Sequence, residues 1–243
     1  MTATASMLVI GDEILSGKTK DKNIGVLADA LTMVGIDLTE VRIVSDEQNA
    51  IVDALNALRA NTTYVFTSGG IGPTHDDITA DSVAKTFGVG IDVDPRAYKL
   101  LDDFYQRTGR EMNAGRERMT RIPDGADLID NPVSIAPGFR MENVHVMAGV
   151  PSVFAAMLES VLPSLEGGVP IAVNTLPFNC GEGDLAESLA AIDADFPTVA
   201  IGSYPKLTDG RFTTEIVLRS RDEAALDAAT QAAQKLRTQM NAD

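Results

Sequence analysis

The first part of the chain alternates between strand and helix patterns, and this alternation is the strongest constraint on the fold. Apolar runs at 6–10, 36–44 and 63–67 predict strands, and apolar residues at helical spacing in 24–34 and 51–58 predict helices. Strands that alternate with helices through short connections form a parallel sheet covered on both faces. We therefore predict an α/β three-layer sandwich with a mostly parallel sheet, whose ligands bind at the carboxyl ends of the strands.

A change of pattern near Gly168 predicts a second domain. Before it, the sequence predicts a helical region broken near Gly109 (95–120), a strand with its loop (143–151) and a helix (152–165). After it, the order is strand, helix, strand, strand, helix, at 171–176, 184–192, 198–204, 211–219 and 222–240. The predicted domains are an α/β domain at 1–168 and a small α+β domain at 169–243.

Composition excludes several classes of function. The chain has 20 Lys and Arg against 35 Asp and Glu, so its net charge of -15 disfavours nucleic acid and anionic membranes. No apolar stretch approaches the roughly 20 residues that span a bilayer. Cys180 is the only cysteine, and His75 and His145 are the only histidines, which argues against a zinc site with His and Cys ligands. We expect a cytoplasmic protein, and any metal held by oxygen.

The stretch GDEILSGKT, residues 11–19, looks like a nucleotide phosphate loop but has the wrong spacing. A Walker loop has four residues between its glycines, whereas five lie between Gly11 and Gly17. Asp12 and Glu13 would also place negative charge where phosphates should lie. We therefore interpret this stretch as one wall of a pocket, with Lys18 at its rim.

The stretch TSGGIGPTHDDITAD, residues 67–81, carries most of the predicted chemistry. Its glycines allow the backbone to approach a ligand closely, and Pro73 stiffens the loop. Thr79 is placed to cap the next helix, whose N-terminus favours an anion. Asp76 and Asp77 oppose an anion unless a divalent cation bridges them to it. The alternative is a tight turn with solvated acids. The loops at 11–19, 68–79 and 137–151 all fall at the ligand edge of the predicted sheet, which favours a site.

The motif SGGIGPTHDDIT resembles the MoaB/Mog-like molybdopterin-binding family, in the branch of the competence/damage-inducible protein A N-terminal domain and of eukaryotic FAD synthase. Four further stretches support the resemblance in the same order, GDEILSGKTKDKN, VSDEQNAIVDAL, NPVSIAPGF and VHVMAGVPSVFAAML. The resemblance covers residues 6–166, and the tail, with IGSYPK and FTTEIVLRSRDEAAL, is similar to the small domain that follows this core. It therefore implies the same α/β fold.

The resemblance also implies roles for individual residues. It implies that Asp77, Asp76 and Asp46 are candidate catalytic and metal-binding residues, with a divalent ion, Mg, Mn or Co, held by Asp77 with Asp46 or Asp76. The implied ligand-binding residues are Gly11, Asp12, Glu13, Ser68, Gly69, Gly70, Gly72, Pro73, Thr74, Thr79, Pro137 and Gly138. The glycines of the second loop, with Pro73 and Thr74, would bind the phosphate-bearing end of the ligand.

Three functions remain open at this point. The first is a metal-dependent pyrophosphatase acting on nucleotides such as ADP-ribose or FAD. The second is molybdopterin binding or adenylylation in molybdenum cofactor biosynthesis, and the third is a non-catalytic ligand-binding module. The small domain has the element order of a KH domain, but CGEGD has the wrong glycine spacing for binding nucleic acid. We expect a small phosphorylated nucleotide or pterin as partner, and a homo-oligomer.

Overall fold

The computed structural model describes residues 2–208 and 210–240, and the chain divides into two compact units, Met1–Gly168 and Val169–Asp243. Within the described residues, no helix is long and apolar enough to cross a membrane. Each unit has its own hydrophobic core, and the first unit has one on each side of its sheet.

The first unit contains, among its described residues, eight strands, seven α-helices and a short 3₁₀ helix (Leu162–Ser164). The strands are β1 (Thr4–Ile10), β2 (Asp37–Val44), β3 (Tyr64–Ser68), β4 (Ile91–Val93), β5 (Arg121–Pro123), β6 (Asp127–Ile129), β7 (Gly138–Met141) and β8 (Val144–Met147). The helices are α1 (Asp12–Leu15), α2 (Asn23–Met33), α3 (Gln48–Asn61), α4 (Thr79–Phe87), α5 (Pro95–Arg107), α6 (Ala114–Arg118) and α7 (Pro151–Val161).

Six of these strands form one sheet in the order β2-β1-β3-β8-β7-β6. The β2, β1, β3 and β8 strands run parallel, and the β6 and β7 strands are antiparallel to their neighbours. The prediction of a mostly parallel sheet is therefore confirmed. The β4 and β5 strands form a separate antiparallel pair.

Alternating residues of β1 enter the two cores of the first unit. Leu8 packs with the α3 side of the sheet, and Met7 packs with α2 and α7 on the other side. A strand that is apolar on both faces is stable only when both faces are covered, and α3 on one side with α2 and α7 on the other provide this cover for β1. The helices on the two sides complete the predicted three layers.

The structure also differs from the sequence-based predictions. The stretch 11–19 contains the short helix α1, where a loop was expected, and β4 to β7 were not predicted as strands. These strands have three or four residues each, too few for a periodic pattern to emerge. The predicted break near Gly109 is present, because α5 ends at Arg107 and Gly109 adopts a positive φ of 67°.

The second unit consists of the strands β9 (Ala172–Phe178), β10 (Ala200–Thr208) and β11 (Arg211–Ser220) and the helices α8 (Glu182–Asp195) and α9 (Glu223–Met240). The strands form an antiparallel sheet in the order β10-β11-β9. Leu185 of α8 and Leu226 of α9 pack with Ile216 and Leu218 of β11, so both helices cover the same face. The element order is the predicted one.

His145 is a buried member of β8. Its side chain stacks on Phe66 with ring centroids 5.0 Å apart, and the residue is 2% exposed. Burial, together with the nearby charge of Arg140, lowers the pKa of His145 to about 4. The imidazole is therefore neutral at pH 7, and it is placed as a structural group within the sheet.

Acid should destabilise the fold through His145. Because its folded pKa lies below the unfolded value, the unfolded chain binds the extra proton first, and stability falls as pH drops from about 6.5 to about 4. The loss is on the order of 3 kcal/mol. His145→Phe should flatten this part of the pH profile of urea unfolding. His75→Phe, at a side chain that is 99% exposed, is the matched control and should leave the profile unchanged.

Candidate functional site

Three loops meet at the carboxyl ends of β1, β3 and β8 and enclose a cleft of about 540 Å³. Glu13 and Thr19 lie on its wall from the first loop, Gly69 to Pro73 and Asp77 from the second, and Ala148 to Pro151 from the third. Ile71, Met119 and Val153 add apolar surface. The cleft therefore combines a mainly apolar lining with a carboxylate and loop backbone, as small-molecule sites commonly do.

Packing explains the glycines that begin the second loop. Gly69 has a φ of 108°, and a Cβ there would lie 2.2 Å from the carbonyl oxygen of Ile10. Gly70 has a φ of 66°, and its Cβ would lie 2.2 Å from the hydroxyl oxygen of Thr79. Only glycine fits both the conformation and the space at these positions.

Thr79 does not cap its helix, so that prediction is wrong. The cap position of α4 is Ile78, and Thr79 is the first helical residue. The Thr79 hydroxyl instead donates to the carbonyl oxygen of Gly69 at 3.0 Å, and its amide donates to that of Gly70 at 3.0 Å. Thr79 is fully buried, so it fastens the glycine loop to α4 rather than facing a ligand.

Asp77 is held in place at both its side chain and its main chain. Its Oδ2 accepts hydrogen bonds from the amide (2.8 Å) and the hydroxyl (2.6 Å) of Thr74. Its carbonyl oxygen accepts a hydrogen bond from Nη2 of Arg118 at 2.8 Å. The carboxylate also occupies the space that a side chain at Gly72 would need. The loop conformation thus fixes the carboxylate against the cleft.

Two arginines that the sequence analysis did not select support this loop. Arg121 makes a two-point contact with Asp81, at 2.9 and 2.7 Å, and Arg118 lies 3.9 Å from the same carboxylate. Forked contacts of this kind fix orientation as well as distance. Some 40 residues separate Arg121 from Asp81, so spacing carried no signal. The only available signal was the run of three arginines in RERMTR, residues 116–121, in a strongly acidic chain.

Asn23 was also missed, and it links the second and third loops. Its side-chain amide donates to Oγ of Ser68 at 2.7 Å and to the carbonyl oxygen of Gly149 at 2.8 Å. Both Asn23 and Ser68 are buried. Ser68, predicted as a ligand contact, therefore uses its hydroxyl within the protein.

Asp46 lies with the carboxylates of the first loop. Its Oδ2 accepts a hydrogen bond from the amide of Asp12 at 2.9 Å. Burial raises the pKa of Asp46, and the charges of Asp12, Glu13 and Asp76 raise it further. The backbone hydrogen bond opposes these effects and only partly offsets them. This corner of the site therefore has a strongly negative potential.

The hypothesis that Asp77, with Asp46 or Asp76, holds a divalent ion stays a prediction. Among the described residues, no group of three or more His, Cys, Asp and Glu side chains is arranged to hold a metal ion. The carboxylates instead fall into two places, with Asp77 against the second loop and Asp46 beside Asp12. Such a donor set fits an ion like Mg²⁺, which binds through one or two carboxylates and substrate phosphates. Burial is the main cause of the raised pKa of Asp46, and the neighbouring charges that add to it are what a cation would offset.

The remaining predicted residues divide between the cleft and the protein interior. Gly11 precedes α1, and the Glu13 carboxylate fills the space beside it. Pro137 lines a small cavity behind the second loop. Gly138 lies in β7, where a Cβ would meet the carbonyl oxygen of Val146 at 2.2 Å, so packing explains this glycine. Lys18 is exposed.

Comparison with known proteins identifies the family. A family model described as "Probable molybdopterin binding domain" matches residues 6–167. The chain belongs to this family. A second model, described as "FAD synthase, middle domain", matches residues 170–242. The molybdopterin-binding domain thus corresponds to the first unit, and the second match to the small α+β unit.

Relatives place this chain in the CinA-like branch of the family. A CinA-like protein of Geobacter sp. (strain M21) is 33% identical over 245 residues, which cover 98% of this chain and 58% of that protein. A protein of Aeropyrum pernix is 33% identical over 215 residues, covering 83% of this chain and 79% of its own. This chain therefore spans little more than half the length of the Geobacter relative.

A solved structure supports the fold of the molybdopterin-binding domain. The protein CinA from Thermoplasma acidophilum, described as having unknown function, aligns with a TM-score of 0.62 and 29% identity. The alignment covers 67% of this chain and 98% of that one. It therefore supports the α/β architecture of the family without assigning a reaction.

The glycine loop should tolerate no methyl group at Gly69. Gly69→Ala imposes an unfavourable φ and a clash with the Ile10 carbonyl, and we expect a loss of at least about 3 kcal/mol of stability. Gly109→Ala is the control, because Gly109 also has a positive φ but open space around it, and it should cost about 1 kcal/mol. Equal losses in urea unfolding would contradict this assignment.

Asp46→Asn should stabilise the protein in the absence of divalent ions. The amide oxygen can still accept from Asp12, while one crowded negative charge is removed. Because the folded pKa of Asp46 is raised, its ionisation costs stability, so the advantage should grow as pH rises through that pKa. Urea midpoints at acidic and neutral pH test this. Asp53→Asn, on the exposed face of α3, should give no such pH-dependent gain.

Proposed function

We propose that this chain is a divalent-metal-dependent nucleotide pyrophosphatase of the ADP-ribose or FAD class. The observation that carries the proposal is the Asp77 carboxylate, which Thr74 fixes against the glycine-rich loop of an apolar cleft while Arg118 holds the main-chain carbonyl of Asp77. The similarity of residues 170–242 to a domain of FAD synthase adds support, since it associates the chain with nucleotide chemistry.

The proposed ligand follows from the two kinds of surface in the cleft. Ile71, Met119 and Val153 offer an apolar wall for a planar ring. The backbone of Gly70 and Gly72 lies close to the cleft, where amide groups are suited to phosphate oxygens. A molecule with a ring at one end and a diphosphate at the other matches this arrangement.

The proposed reaction is hydrolysis of the diphosphate. A water oxygen bonds to one phosphorus, the bond from that phosphorus to the bridging oxygen breaks, and two phosphate monoesters and a proton are released. Asp77, together with substrate phosphate oxygens, would hold a divalent ion, which would supply charge neutralisation and lower the pKa of water. Since Thr74 engages Oδ2 of Asp77, we assign Oδ1 to this chemistry.

The remaining charged groups either position the loop that carries Asp77 or contribute to the electrostatic potential near the proposed metal. Arg118 and Arg121 keep the residues from Asp77 to Asp81 in place, which makes them positioning residues. Asp76 adds negative charge near Asp46, in keeping with its predicted role at the metal. Neither histidine lines the cleft, since His145 is buried in β8 and His75 is almost fully exposed. The proton therefore leaves through water or a carboxylate.

Activity measurements on the full chain test the proposal. With Mg²⁺, Mn²⁺ or Co²⁺, the protein should convert ADP-ribose or FAD into two monophosphate products. Asp77→Asn should lower kcat by at least about a hundredfold, because it removes the charge but keeps the shape. Asp103→Asn, on the exposed face of α5, is the matched control and should retain full activity.

Two results would contradict the pyrophosphatase. The first is that no product forms with any of the three metals. The second is that the Asp77 and Asp103 variants have equal activity. The family description favours molybdopterin as the second candidate ligand. Tight pterin binding with ATP-dependent adenylylation and no pyrophosphatase turnover would establish that function instead, and ligand binding with no turnover of any kind would indicate a binding module.

A further inference from the structure

The β2 strand is one of the two edge strands of the six-stranded sheet, and it is the longer of the two. Within the described part of the chain, β2 pairs with β1 on one side and has no strand on the other. An unpaired edge is a template for adding another strand, and proteins normally protect or cover it. The β2 strand is eight residues long, so its edge is substantial.

Apolar side chains remain exposed along this edge. Val41 and Ile43 are 36% and 40% exposed, although both point to the same face of the sheet as the buried Met7 and Val9 beside them. On α2, which packs against β2, Met33 is 74% exposed. Together the strand and helix offer an apolar surface at the margin of the unit.

The charges on β2 alternate with these apolar residues. Glu40 and Arg42 point to the opposite face from Val41 and form an ion pair of 2.6 Å. Both side chains are more than a third exposed, so solvent and a partner can reach them. Along β2, the central Val41 therefore has an acidic residue, Glu40, before it and a basic residue, Arg42, after it.

We propose that a second copy of this chain docks on β2, with the two β2 strands antiparallel about a two-fold axis through Val41. In this register Glu40 of each copy lies opposite Arg42 of the other, and the two Val41 side chains meet. Opposite charges across paired strands are stabilising. A two-fold interface must be self-complementary, and this arrangement meets that condition.

Neighbouring registers fail the same condition. An axis through Glu40 places the two Glu40 carboxylates opposite each other, and an axis through Arg42 does the same for the two guanidinium groups. The bulge at Thr39, where the pairing with β1 shifts register, limits the regular part of the edge to Glu40–Val44. The two-fold pairing uses the outer edge of β2 in both copies, so the assembly closes as a dimer.

Sedimentation equilibrium of the full chain over a range of concentrations tests the proposal. The natural protein should be a dimer. Glu40→Arg replaces two attractive contacts with two repulsive ones and should weaken dimerisation by at least about tenfold. Arg42→Glu should have the same effect, and the double exchange, Glu40→Arg with Arg42→Glu, should restore the dimer because it recreates each pair with its charges swapped.

Controls keep the result specific to this edge. Asp103→Lys reverses a charge of the exposed pair with Lys99 on α5 and should leave the dimer intact. Circular dichroism of every variant checks that it is folded, and the double exchange provides a second check. A monomeric natural protein, an unweakened dimer in the single variants, or no recovery in the double exchange would overturn the proposal. None of these outcomes depends on the proposed reaction.

Discussion

The site depends on the side-chain amide of Asn23, which joins two loops that are far apart in sequence. By donating to Ser68 and to the carbonyl of Gly149, it holds the second and third loops at a fixed separation. A buried amide loses its contacts with water, so these two hydrogen bonds are costly to leave unmade. The cleft between the loops therefore keeps its width from the start of α2, a helix that contributes no predicted ligand contact.

The second loop is shaped mainly by contacts within the protein. Gly69 and Gly70 fit against Ile10 and Thr79, and Asp77 closes the turn through Thr74. A backbone held this way loses little conformational entropy when a ligand binds. The glycines thus contribute by making the loop rigid and close-packed, and rigidity is what would present the Asp77 carboxylate in one orientation.

Sequence predicted the parts of the fold that follow from repeating patterns. The alternation of apolar runs and helical spacing was enough to predict the parallel sheet. The change of pattern near Gly168 marked the start of the second unit, and the patterns after it predicted the order of its elements. The short strands β4 to β7 carry no such pattern. Thr79 was assigned to the wrong role, because the same hydroxyl that can cap a helix can also bond an adjacent loop, and only the three-dimensional structure distinguishes them.

The site residues also could be predicted only in part. The meeting of the three loops at one edge of the sheet could be predicted, because parallel strands bring the loops after them together. Side-chain partners could not, since Arg118, Arg121 and Asn23 reach the loops from distant segments. Asp77 and Asp46 were both predicted at this site, and in the structure they have separate partners, Thr74 for Asp77 and the amide of Asp12 for Asp46. Their separation depends on how β2 and the second loop end, which no local pattern specifies.

The crowded carboxylates around Asp46 have a consequence for how a ligand would enter. An anion approaching alone meets Asp12, Glu13 and Asp46, whereas the same anion accompanied by a cation brings the charge that these groups lack. Because Glu13 lines the wall of the cleft, the first loop would, under the proposed function, act as an electrostatic filter for the ligand. Occupancy of such a cleft by an anion would then depend on the concentration of free divalent ions as strongly as on the concentration of the anion itself.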